Sequence, residues 1–199
     1  TLYGMADLFI VGQFNAVDGI TAVSNGSQVM HMLTAILVGL AMGVTVSISH
    51  AVGAKKHTLV EKTIGNTITL FACISIVSTI LLLIFVKPLV VLLNVPQEAM
   101  TGTIQYLVIC FIGIPFITAY NIISSIYRGL GDSKSPMYII AIACLLNIVL
   151  DYLFIGLFHM GPIGAALGTT VSQSVSVLIA LISMKYRTSD IHIKKEDLH

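Results

Sequence analysis

From Gly19 to Ala54 the chain runs 36 residues without a Lys, Arg, Asp or Glu. Further charge-free runs follow, among them 24 residues from Thr63 to Val86 and 29 from Ala99 to Tyr127. Each of these three exceeds the roughly 20 apolar residues that a helix needs to cross the ~30 Å hydrocarbon core of a bilayer. Charged residues make up only 10% of the chain, against about 25% in soluble domains. The fold class that follows is an all-α integral membrane protein of several spans. A net charge of +1 gives no sign of a nucleic-acid partner; the lipid bilayer is the partner that composition requires. Cys73, Cys110 and Cys144 all fall in apolar runs with no CxxC pair, so they read as packing residues and not as disulfides or metal ligands.

Six helices are expected. The first, Leu2 to about Val11, is cut short, because about 13 residues precede the break at Gln13-Phe-Asn15 and these cannot span a ~30 Å core. The second runs from about Ile20 to Val52. Its first half is polar (Ser24, Asn25, Ser27, Gln28, His31) and should line water; its second half carries Gly39-Leu-Ala-Met-Gly43, a small-xxx-small pattern suited to close helix packing. The third, Thr63 to Val86, should stop before Pro88. The fourth, Met100 to Tyr127, should kink at Gly113-Ile-Pro115. In the next connection Gly129 or Gly131 can end that helix in a left-handed conformation, and Ser135 can cap the fifth helix with Pro136 at its first position. The fifth ends near Phe158 and the sixth covers Ile163 to about Met184. Residues 1–184 form the membrane lobe; the polar stretch 185–199 is expected to be a flexible cytoplasmic linker.

Nine of the ten basic residues fall in the connections after the second, fourth and sixth helices, with Lys87 the exception. The excess of Lys and Arg on cytoplasmic loops then places these connections inside the cell.

Asp7 and Asp151 are the carboxylates embedded in apolar helices, and Asn147 lies one turn before Asp151 on the same face. An acid at mid-membrane costs roughly 2.5–3.5 kcal/mol on insertion scales, so it should face a cavity or a partner. At 1.5 Å per residue, Asp7, Asp151 and Thr169 each lie roughly 10 Å from the outer ends of their helices. Two carboxylates, an amide and a hydroxyl at one depth suit a proton or a hard cation, which favours oxygen ligands. The plain alternative is a set of unrelated polar contacts; Thr169 in particular could simply bond its own helix backbone. Of the six histidines, His31 is the one placed to reach a cavity. Asp7-Leu-Phe-Ile-Val-Gly12 also echoes Asp151-Tyr-Leu-Phe-Ile-Gly156, each followed by a small-residue helix with a Ser-Gln pair, Ser27-Gln28 and Ser172-Gln173.

Ala6-Asp-Leu-Phe-Ile-Val-Gly12, Arg128-Gly-Leu-Gly-Asp-Ser-Lys-Ser-Pro136, Asn147-Ile-Val-Leu-Asp151 and Gly164-Ala-Ala-Leu-Gly-Thr169 together resemble the multidrug and toxic compound extrusion (MATE) transporters, specifically their DinF-like prokaryotic branch. The resemblance implies the first six-helix lobe of a twelve-helix, two-lobe transporter, with the second lobe of the same polypeptide as partner. It implies a cation site for a proton or sodium ion at Asp7, Asn147, Asp151 and Thr169, and no other cofactor. Tyr106 and Asn121 are the implied cavity-lining residues, beside Gln28 and His31. The implied activity is antiport of small-molecule drugs or toxic organic cations at the plasma membrane.

Two other functions fit parts of the sequence. Gly129-Leu-Gly-Asp132 spells the GxGD of intramembrane aspartyl proteases, but it sits in a basic connection some 20 Å by helix rise from Asp151. A lipid-linked oligosaccharide flippase of the same superfamily should carry basic residues in its cavity for a pyrophosphate, and none lies between the loops.

Overall fold

A computed structural model describes the backbone of residues 2–196 and the side chains of residues 4–186. The elements are α1 (Leu2–Phe14), α2 (Val17–Gly53), α3 (His57–Leu92), α4 (Gln97–Ile112), α5 (Ile114–Gly129), α6 (Lys134–Asp151), a π-helical segment (Tyr152–Leu157) and α7 (Pro162–Glu196). No strand occurs among the described residues. Four of these helices are long and apolar enough to cross a membrane, counting α6 with its π-helical extension as one. The pair α4 and α5, bent by 46°, makes a fifth span if read as one. With the 13-residue α1, about 20 Å long, the chain forms an all-α bundle of six membrane segments.

The bundle is held by apolar clusters stacked along its length. At the α1 end, Ile10, Val23, Val90, Leu107, Phe111 and Ala165 are buried together. Toward the basic loops, Val44, Ile48 and Phe71 meet Ile122 and Ile126, while Tyr120, Tyr127 and Ile139 pack on Val177 and Ala180. The outside stays apolar: Leu145 is 67% exposed and Leu92 78%. Hydrocarbon is the solvent that such a surface fits.

Close approach depends on glycines opposite bulky groups. A Cβ at Gly26 would run into the Tyr106 ring, and one at Gly129 would sit 2.8 Å from Ile48 Cβ. At Gly39 and Gly43 nothing lies within 4 Å, so the small-xxx-small pair expected to pack a helix faces open space within this bundle.

Other expectations are corrected. Pro88 lies inside α3, which continues to Leu92; a proline near a helix end in a membrane loses one backbone bond that neighbours can replace. The N-terminus of α6 follows Ser133, and the side chain that caps it is that of Asp132, whose Oδ1 accepts from the Lys134 and Ser135 amides at 3.0 and 3.1 Å, while Ser135 Oγ donates to Oδ2 at 2.6 Å. Pro136 is therefore the third residue of α6, still within the turn whose N–H groups have no helical partner. Gly131, at φ +89°, takes the left-handed conformation, and Gly129 stays helical. The last helix runs on to Glu196, so residues 185–196 are helical where a flexible linker was expected; 197–199 lie outside the described residues. The kink at Gly113 is present as the α4–α5 break.

Candidate functional site: a buried carboxylate pair beside a polar cavity

The apolar spans carry few polar groups, and four of them converge. Asp7 comes from α1, Asn147 and Asp151 from the end of α6, and Thr169 from α7. Asn147 Nδ2 lies 3.3 Å from Asp7 Oδ1, 3.4 Å from Asp151 Oδ1 and 3.4 Å from Thr169 Oγ1, so one amide faces three acceptors. The Thr169 hydroxyl donates to Asp7 Oδ2 at 3.0 Å. Asn147 and Asp151 are fully buried and Asp7 is 1% exposed. The depth match expected from helix rise is thus a set of hydrogen bonds joining α1 to the consecutive helices α6 and α7.

The site is rich in oxygen. Asn147 Oδ1 and Asp151 Oδ2 are both buried without a hydrogen-bond partner. Two carboxylates and an amide oxygen with spare lone pairs are what a proton or hard cation would complete. Among the described residues no group of three or more His, Cys, Asp or Glu could hold a metal ion, so any cation here would rely on the two acids and neutral oxygens.

Local structure gives the site its shape. Immediately after Asp151 the helix widens into the π-helical segment, a form concentrated at functional positions. Its Asp7-Leu-Phe-Ile-Val-Gly12 counterpart stays α-helical, so the sequence echo does not extend to backbone geometry. Across from Asp151, Gly168 offers no side chain, and a Cβ there would overlap Asp151 Oδ1. Gly168 thus sets the position of the carboxylate. The sequence points to Gly164-Ala-Ala-Leu-Gly168 as a small-residue start of a helix, but not to which glycine faces an acid.

Next to the acids opens a cavity of about 200 Å³, lined by Asp7, Ser27, His31, Thr34, Tyr106, Cys110, Tyr120, Asn121, Thr169, Thr170 and Gln173 among others. Tyr106 and Ser27 oxygens lie 3.3 Å apart, and Asn121 Nδ2 donates to the Ile117 carbonyl of its own helix at 2.8 Å. His31 lines the cavity as expected. Gln28 does not: it is on the exposed side of α2, 100° round the helix from Ser27, which takes the cavity-facing position. Gln173, one turn beyond Thr169, supplies the cavity amide instead. The cavity lining carries no Lys or Arg.

The GxGD aspartate is elsewhere. Asp132 is engaged in capping α6, and 17 residues of helix rise, about 25 Å, separate the start of α6 from Asp151. The two acids share no site.

The MatE family model matches residues 1–153. The chain belongs to the MatE family. It is 26% identical over 195 residues to the probable multidrug resistance protein YoeA of Bacillus subtilis (strain 168), covering 96% of this chain and 42% of that protein. It is 27% identical over 198 residues to the probable multidrug resistance protein NorM of Thermotoga maritima, covering 98% of this chain and 42% of that one. A crystal structure of MATE in the bent conformation superposes with a TM-score of 0.86 at 27% identity, over 90% of this chain and 40% of that chain. This MatE chain spans about two fifths of the length of the relatives it matches. Its family and its apolar helices make it a multi-pass membrane protein.

Proposed function

We propose that this chain is the cation-binding lobe of a secondary active exporter. In the complete protein it would expel lipophilic, often cationic compounds in exchange for protons or sodium ions by alternating access. The observation that carries the reading is the cluster of buried Asp7, Asn147 and Asp151 with half-buried Thr169 beside the polar cavity. A proton or sodium ion entering from outside would pair with the acids and draw α1 onto α6 and α7. Asp7 belongs both to the cluster and to the cavity lining, so loading would alter the wall that a compound touches. A ligand can shift an alternating equilibrium only through such a difference between states. The work available is about 2.3 kcal/mol per charge crossing 100 mV, besides the ion gradient.

The cavity's 200 Å³ falls below the ~300–1,000 Å³ of pockets that enclose drug-sized ligands. A transported compound would therefore share its contacts with the second lobe of the polypeptide. With Asp7 present and no Lys or Arg in the lining, a cationic compound fits better than a pyrophosphate-bearing one, which disfavours the flippase reading. The basic connections would face the cytoplasm and the lobe would sit in the plasma membrane.

The test is Asp151→Asn in the complete transporter, which keeps shape and removes the titratable group. Dye efflux in everted vesicles is measured under imposed proton and sodium gradients at matched expression. The expected result is retained binding of a lipophilic cation with loss of gradient-driven efflux, the same for Asp7→Asn, and little further loss in the double variant because one site is affected. Wild-type efflux and ion dependence in Asp151→Asn would overturn the assignment.

A further inference from the structure

On the opposite face of α5 from the polar cavity lies a second cavity, apolar and of about 370 Å³. Ile117, Tyr120 and Asn121 look into the polar cavity, whereas Pro115, Thr118 and Ile122 line the apolar one. Among the described residues α3 and α7 each lie close along α5, while their own backbones stay apart. They therefore form the walls of a groove whose floor is α5. Phe71 and Ile76 stand on the α3 wall and Leu181 on the α7 wall.

The dimensions select the occupant. The floor runs from Pro115 to Ile126, about 16 Å at 1.5 Å per residue. The 370 Å³ open to the centre of a water molecule, spread over that length and widened by a water radius of about 1.4 Å on each side, gives a channel about 8 Å across, still under the ~10–12 Å width of a helix. One extended alkyl chain fits; a helix of another segment does not. The length agrees with one leaflet, half of a ~30 Å hydrocarbon core, and the floor ends three residues before the loop end of α5 at Gly129. The rim residues Ile68, Ile76 and Leu181 are each about half exposed, so the groove opens on the apolar outer surface of the spans. Bilayer hydrocarbon is the chemistry that such a mouth matches.

We propose that this groove holds one acyl chain of a phospholipid from the leaflet beside the basic loops. Of the hydroxyls lining it, Ser75 already donates to the Ala72 carbonyl at 2.9 Å. Thr118, 2% exposed, has no partner; a helical threonine can turn to the carbonyl of its own preceding turn and leave the floor apolar.

The 199 residues contain no tryptophan, so Phe71→Trp introduces a reporter in the groove wall, read as the difference from the unsubstituted protein. Fluorescence is compared in vesicles of ordinary phosphatidylcholine and of phosphatidylcholine brominated on its acyl chains, since bromine quenches on contact. Phe111→Trp, at a fully buried core position, is the dry reference. The expected result is quenching of the Phe71→Trp signal by at least half, with at least twofold recovery when Ala119→Phe fills the floor. Thr118→Val should leave the quenching unchanged. If Phe71→Trp does not insert, Ile122→Trp serves with the same criteria. Quenching no greater than at the Phe111→Trp reference means a groove that is dry or covered by protein, and overturns the proposal. Loss of quenching in Thr118→Val means an occupant recognised through the hydroxyl, and overturns a hydrocarbon chain equally.

Discussion

Replacing Gly168 by alanine adds a single methyl group, and the structure shows where it would go. A Cβ on Gly168 would overlap Asp151 Oδ1 and come within 3.4 Å of its carboxyl carbon and 3.6 Å of its backbone nitrogen. The 3.4 and 3.6 Å separations are ordinary contacts, so the strain falls on the carboxylate oxygen, and the carboxylate must leave its observed position. Overpacking of this kind costs about 1–3 kcal/mol. Rotation would also stretch the 3.4 Å contact from Asn147 Nδ2, worth about 1 kcal/mol net when it is an ordinary hydrogen bond. Against this, alanine in a helix interior gains roughly 0.5–1 kcal/mol over glycine. The balance is a loss of about 1–3 kcal/mol, roughly 5- to 150-fold in any equilibrium that needs the native carboxylate position. Gly39 supplies the control, because nothing lies within 4 Å of its Cβ position and Gly39→Ala keeps only the helix gain. The assay is residual monodisperse protein after graded heating in detergent, with and without sodium, on the complete transporter. Gly168→Ala should lose stability and any cation-dependent protection, while Gly39→Ala should hold or gain. A Gly168→Ala protein as heat-resistant as the parent, with unchanged response to cation, would refute the reasoning that this glycine sets the carboxylate.

Asn147→Ala removes one neutral hub while leaving both acids; it should weaken apparent cation affinity about tenfold, near one net hydrogen bond, and impair gradient-driven efflux less than Asp151→Asn does. Equal or greater impairment would mean that the amide, and not the carboxylate pair, dominates. Gly131→Val should lower the amount of folded protein, because a β-branched residue at φ +89° is strained by more than about 1 kcal/mol; abundance on a blot at the parent level counts against it. Ser133→Cys, exposed in the α5–α6 connection, should react with an impermeant thiol reagent only after the inner face is opened, and labelling of intact cells would reverse the proposed orientation.

Much of the site was legible because membrane spans tolerate so few polar groups. Asp7, Asn147 and Asp151 stand out in apolar helices at a cost only a partner can offset, and helix rise alone put Asp7, Asp151 and Thr169 at one depth. Hydrogen bonds of 3.0–3.4 Å now join them through Asn147. The side of a helix is harder to read than the level. Gln28 and Gln173 each follow a serine in matching helix starts, yet Gln173 faces the cavity and Gln28 does not. A 100° step per residue means that a small error in facing exchanges one neighbour for the other.

Glycines make the limit plainest. The Gly39–Gly43 spacing is the pattern that local reasoning selects for close packing, and it faces open space, while Gly26, Gly129 and Gly168 carry the close approaches. What fixes a glycine's role is the group opposite it: the Tyr106 ring, the Ile48 side chain, the Asp151 carboxylate. Each of these partners lies at least 17 residues away, and 80 or 81 away for Gly26 and Gly129. The groove behind α5 follows the same logic, since it exists because the α3 and α7 backbones stand apart on either side of α5. Neither a contact across space nor a missing one leaves a periodicity in the sequence. The carboxylates were readable because their cost is intrinsic to the residue, and the surfaces that position them were not, because their contribution belongs to a pair.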